Sequence, residues 1–130
     1  MADRSKTHGD LSWAELLTRD LEGSKKFYKE VLGWEMANMP MEQGGDYIVL
    51  KAGGRAVAGM MPMPPMVPKE VPTHWQTYIT VDDVDAVAKK AQQLGATLIV
   101  PPRDIPKVGR FSTFQDPQGA VINVIKYLEM

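Results

Sequence analysis

Glu15 is the residue of this 130-residue chain best placed to do chemistry. It stands between Ala14 and Leu16 in an apolar, extended run, Trp13-Ala14-Glu15-Leu16-Leu17-Thr18. A carboxylate there needs a partner or a wet cavity, because an uncompensated buried charge is strongly unfavourable. An ion pair with Arg55 or Arg110 would meet that need, and so would a ligand. His74 opens a second run, Trp75-Gln76-Thr77-Tyr78-Ile79-Thr80-Val81. An imidazole suits acid–base work, although a strand entrance also holds ordinary surface histidines. Alternation places Trp13, Glu15 and Leu17 on one face of the first run and Gln76, Tyr78 and Thr80 on one face of the second. Trp13 is then a core aromatic or a stacking wall for a flat ligand. Arg110, near Arg103 and Lys107 around Gly109, reads as a loop cation that closes over an anionic ligand or simply faces solvent. The chain has no cysteine, which removes disulfides, thiolate metal sites and cysteine nucleophiles. Ser12, Ser24 and Ser112 lack a nucleophile-elbow context, and Gly44-Gly45 and Gly53-Gly54 punctuate hairpins rather than cradle phosphate.

The elements that position these residues repeat. Each half carries an extended run, an aspartate, a helical run and a Leu-Gly stop. Asp20 precedes a helix expected from about Leu21 to Leu32, and Asp83 one from about Val84 to Leu94. Leu32-Gly33 and Leu94-Gly95 lie 62 residues apart. Both aspartates suit an N-cap and both glycines a left-handed C-cap. Three extended segments follow each helix: Trp34 to Met39, Tyr47 to Lys51 and Arg55 to Met61, then Thr97 to Val100, Arg110 to Gln115 and Ala120 to Tyr127. Turns at Gln43-Gly44-Gly45-Asp46, Gly53-Gly54, Pro101-Pro102, Lys107-Val108-Gly109 and Asp116-Pro117-Gln118-Gly119 separate them. Each half reads β-α-β-β-β.

Hydrophobic residues make up 44% and charged residues 24%, the proportions of a globular domain, and the formal net charge of -1 gives no electrostatic reason to expect nucleic acid. Residues 1–12 are polar, without the apolar core of a secretory signal, and read as a flexible lead-in. No stretch is long and apolar enough to span a membrane, so the expected location is the cytoplasm. The Met/Pro segment from Met60 to Pro68 is a linker with three readings: a flexible connection, an apolar lid or dimer contact, and a soft-metal methionine cluster. Module one is expected at about 13–62, the linker at 62–72 and module two at 73–128, within one domain covering 13–130.

The pattern resembles the glyoxalase/bleomycin-resistance/dioxygenase superfamily, the vicinal oxygen chelate proteins. Its marks are Asp20-Leu21 with Phe27-Tyr28 and Val31-Leu32-Gly33-Trp34, then Val81-Asp82-Asp83-Val84, then Phe114-Gln115-Asp116-Pro117-Gln118-Gly119. The resemblance implies an α+β fold of two βαβββ modules forming curved mixed sheets around a cleft, with helices outside. It also implies a homodimer, and lyase, isomerase or dioxygenase chemistry at one divalent metal. The metal positions it implies fall on Trp13, Gly59, Gln76 and Asn123, where the family offers His or Gln, Glu, His and Glu. Two neutral amides, an indole and a glycine are a poor set for a divalent ion. The expectation is therefore a protein without a metal or other cofactor that binds a small organic molecule in an apolar cleft. Trp13, Glu15, Gly59, Met61, Gln76, Tyr78, Arg110 and Asn123 are its ligand contacts. The alternative is an enzyme using a displaced metal site, or metal-free acid–base catalysis by Glu15 and His74.

Overall fold

A computed structural model describes residues 6–41 and 45–128. Gln43 and Gly44 of the expected turn, the first five residues of the expected lead-in, and Glu129 and Met130 at the expected domain's end lie outside the described residues. The fold is α+β, with order β1 (Leu11–Thr18), α1 (Leu21–Leu32), β2 (Glu35–Pro40), β3 (Asp46–Ala52), β4 (Arg55–Pro62), β5 (His74–Thr80), α2 (Val84–Gln93), β6 (Thr97–Ile105), β7 (Gly109–Gln115) and β8 (Val121–Tyr127). The β-α-β-β-β pattern thus occurs twice. The chain forms two compact units, one of Trp13–Trp75 and one of the residues up to Ser12 with those from Gln76 onward; the division falls inside β1 and β5.

In the first unit the strand order is β2-β3-β4-β1. β1 runs parallel to β4, and the β2–β3 and β3–β4 pairs are antiparallel. Asp20 caps α1 by accepting the Gly23 N–H at 2.9 Å, and Gly33 ends it in the left-handed region at φ 71°. Leu16, Ile48, Leu50, Ala58 and Met60 form the core against Leu21 and Tyr28 of α1. Each large side chain so buried contributes about 1.5–3 kcal/mol. Strand alternation then turns Glu15, Tyr47 and Gly59 to the opposite face of the sheet.

The second unit repeats the plan as β5-β8-β7-β6, with β5 parallel to β8 and the other two pairs antiparallel. Asp83 caps α2 through the Ala86 N–H at 3.1 Å. Val81, Val84 and Val124 form its core with Ile79, Val87 and Phe114.

Three segments differ from expectation. β6 does not stop at a Pro101-Pro102 turn but continues to Ile105, with its register to β7 shifting between Leu98 and Val100 and again before Arg103. It is the outer strand of its unit, where a proline without an N–H removes no bond needed by a further neighbour. The lead-in is held from His8 on. Gly9 N–H donates to the Thr80 carbonyl at 2.8 Å, Thr80 N–H donates to the Asp10 carbonyl at 2.9 Å, and Asp82 N–H donates to His8 Nδ1 at 2.9 Å. The linker is likewise tied down: Arg19 donates to the carbonyls of Val71 at 2.9 Å and Pro68 at 2.8 Å. Its methionines differ in burial, with Met60 and Met63 buried and Met66 exposed. Among the described residues no helix is long and apolar enough to cross a membrane.

Candidate functional site

The register builds the site in the first unit. Glu15 on β1 pairs with Gly59 on β4, which also pairs with Val49 on β3, so the three lie in one row. Leu17 pairs with Met61 in the next row. Trp13, Glu15, Gly59 and Met61, four of the expected contacts, therefore share the face turned away from the α1 core.

A residue missed in the sequence joins them. Tyr47 of β3 donates its hydroxyl proton to Glu15 Oε2 at 2.7 Å, and the Tyr47 hydroxyl oxygen in turn accepts the Trp13 Nε1–H at 2.8 Å. Glu15 is only 5% exposed. The phenol thus supplies part of what the buried carboxylate needs. Gly59 makes room for it: a Cβ there would overlap the Tyr47 hydroxyl, Cζ and Cε1. A glycine inside a strand marks a close approach of something else. That is the available signal, whereas the family resemblance marks Gly59 as a metal position and a ligand contact rather than as room for a ring.

The other expected residues are distributed differently. Tyr78 pairs with Asn123, which also pairs with Thr113, on one face of the second unit. Asn123 is 1% exposed. Its carbonyl accepts from Thr113 Oγ1 at 2.5 Å and its amide donates to the Thr77 carbonyl at 3.2 Å. The Asp-Pro-Gln-Gly turn delivers this strand, with Asp116 Oδ1 accepting the N–H groups of Gln118 and Ala120. Gln76 precedes Tyr78 on the same side of β5.

Arg110 is not a loop cation. It lies in β7 and its side chain reaches α2, donating to both Asp85 oxygens at 2.8 Å and to Asp104 at 3.1 Å. Strand alternation puts it opposite the Tyr78–Asn123 face. The Arg110 hydrogen bonds hold the Asp85 carboxyl below its usual range, and the two aspartates raise the Arg110 guanidinium. His74 opens β5, where its Nδ1 lies 2.7 Å from the Pro72 carbonyl. Two concavities of the first unit run along α1, one of about 370 Å³ past Thr18 and Ser24 and one of about 750 Å³ past Lys25 and Trp34. Neither is lined by Trp13, Glu15 or Tyr47. Among the described residues no three His, Cys, Asp or Glu side chains gather as a metal-holding group.

Comparison with known proteins follows the same lines. The family model for the Glyoxalase/Bleomycin resistance protein/Dioxygenase superfamily matches residues 10–124. CFP32 of Mycobacterium bovis and Mycobacterium tuberculosis, to whose name a provisional glyoxylase designation is attached, is 47% identical over 118 residues, which are 91% of this chain and 44% of that protein. The anthracycline biosynthesis protein DnrV of Streptomyces peucetius is 28% identical over 127 residues, covering 89% of this chain and 46% of its own length. The chain spans less than half the length of these curated relatives. A variant methylmalonyl-CoA epimerase of Streptomyces coelicolor, solved with 2-nitronate-propionyl-CoA, superposes with a TM-score of 0.64 at 16% identity over 95% of this chain and 100% of that one. That likeness concerns the fold. With two βαβββ units and a family match across nearly all of its length, the chain belongs to the glyoxalase/bleomycin resistance protein/dioxygenase superfamily.

Proposed function

We propose that this protein binds a small organic molecule without a metal ion, on the first-unit face that carries Trp13, Glu15, Tyr47 and Gly59. The observation that supports this reading most is the hydrogen-bonded chain from Trp13 through Tyr47 to Glu15 across Gly59. The donor set does not fit the family's divalent ion. Trp13 has no lone pair to give and its N–H is engaged, Gly59 offers only space taken by Tyr47, and both ends of the Asn123 amide are bonded internally. Gln76 adds a single neutral amide. Hard divalent ions are held by carboxylates or imidazoles, whose charge or lone pair replaces lost hydration.

What remains on this face is recognition chemistry. Two aromatic side chains, both partly exposed, lead to a buried carboxylate. Aromatic walls with one or two oriented polar groups suit a small organic ligand. The fold neighbour solved with a CoA derivative makes a small molecule the natural partner class.

Metal-free acid–base catalysis is the second reading, favoured by the direct Tyr47–Glu15 hydrogen bond. Tyr47 there replaces His74 as the partner of Glu15. A thermal-shift screen of a metabolite library against wild type and Glu15→Gln tests both. Ligands of this site should bind about tenfold or more weakly to Glu15→Gln, the cost of weakening a charged hydrogen-bonding centre. Turnover of a hit that Glu15→Gln abolishes selects the enzyme reading. Hits bound equally by wild type, Glu15→Gln and Trp13→Phe contradict the site.

A further inference from the structure

We propose that Trp13 and Glu15 form a receptor for an aromatic hydroxyl, which Tyr47 fills here and which a phenolic ligand takes over when it binds. The proposal rests on the small-molecule reading above and names its ligand class. The two polar groups are complementary to one oxygen that both accepts and donates: the indole N–H is donor only, and the carboxylate is acceptor only. The Tyr47 hydroxyl meets both, at 2.8 and 2.7 Å. A ligand carbonyl at that point would face the carboxylate with no proton to offer, and a second carboxylate would set two anions together. An ammonium would meet the indole N–H with no lone pair. A hydroxyl satisfies both neighbours, and an acidic one bonds the carboxylate more strongly than an aliphatic alcohol does.

The floor of the receptor selects the ring. At Gly59 the overlap of a built Cβ involves the phenol carbons Cζ and Cε1 as well as the hydroxyl. The missing side chain therefore clears a flat slot for an aromatic ring, not only a hole for one oxygen. A glycine in a strand interior is unfavourable by about 0.5–1 kcal/mol relative to alanine. Here that cost is matched by the ring it admits. Tyr47 is half-buried, and its backbone lies in β3 between β2 and β4, with Met39 opposite it. On this proposal the Tyr47 side chain leaves the slot when the ligand's ring enters it.

The test uses p-cresol, which is the tyrosine side chain cut free of the backbone, and toluene, which has the same ring without the hydroxyl. Tyr47→Ala should bind about one p-cresol per chain by calorimetry and regain part of its lost thermal stability as the slot refills. Toluene should bind about tenfold or more weakly, as should p-cresol when Trp13→Phe is added to Tyr47→Ala. Equal binding of p-cresol and toluene, or no saturable binding by a folded Tyr47→Ala protein, overturns the proposal. The wild-type protein provides an arm that needs no variant to fold. Substituted phenols should bind it at least about tenfold more tightly than their methyl ethers, with a change in tryptophan fluorescence, because the ether cannot donate to Glu15. Equal affinity for phenols and ethers overturns the proposal here too. Ligands without a hydroxylated ring that need Glu15 while phenols do not bind would overturn the ligand class and leave the small-molecule reading standing.

Discussion

Replacing Gly59 by alanine sets a methyl group where the Tyr47 phenol lies. Overpacking of this kind costs typically about 1–3 kcal/mol. Urea denaturation should show that loss in Gly59→Ala, and most of it should vanish when Tyr47→Ala is present as well, since the double variant removes the colliding ring. Additive losses would place the cost elsewhere than in this contact. At this scale the sequence made half of the site legible. An acid in an apolar strand needs a partner, and alternation put Trp13 on its side. The partner itself was hidden, because Tyr47 reaches Glu15 only once β3 and β1 both lie beside β4, a register no local pattern encodes. Arg110 was misplaced for a related reason. Its neighbours Lys107 and Gly109 look like a loop, whereas its orientation is fixed by Asp85, 25 residues away on α2.

Arg110 matters at the scale of elements. It joins α2 through Asp85 to β6 through Asp104 and to its own strand β7. Because Arg110 holds the Asp85 carboxyl below its ordinary value of 3.8, the pair stabilises the folded chain fully above that value. The contribution is lost as pH falls through the depressed folded-state value, where Asp85 takes up its proton. Melting temperatures of wild type and Arg110→Gln should therefore differ near neutral pH and converge in strong acid. They should also converge in 1 M salt, where the screening length is about 3 Å and the ions are largely exposed. A constant gap across pH and salt would assign the effect to packing of the arginine stem instead. The helices and their aspartate caps were readable beforehand because helix punctuation is local. The continuation of β6 through Pro101 and Pro102 was not, since the tolerance for proline depends on which strand ends up at the edge.

Over the whole chain, the β-α-β-β-β repeat and the family were legible because a helix-capping aspartate and a Leu-Gly stop recur in each half and the Asp-Pro-Gln-Gly turn precedes the last strand. The same resemblance implies pairing of two copies. Phe27, Val31 and Leu32 support that reading, each more than half exposed on α1, which buries none of its residues. Light scattering should then give about twice the 14.4 kDa chain mass, falling to one chain in Phe27→Glu/Val31→Glu. A monomeric wild type would leave the α1 face without this role.

On the proposed function, Tyr47, Gly59 and their neighbours replace metal chemistry with hydrogen-bonded recognition. Elemental analysis provides the direct measurement, on protein purified without chelator and equilibrated in turn with Mn, Fe, Co, Ni and Zn. Wild type should retain far less than one ion per chain in every case, and Glu15→Ala should not differ from it. About one ion per chain, lost in Glu15→Ala, would contradict the claim and put a metal centre on the face assigned here to an organic ligand.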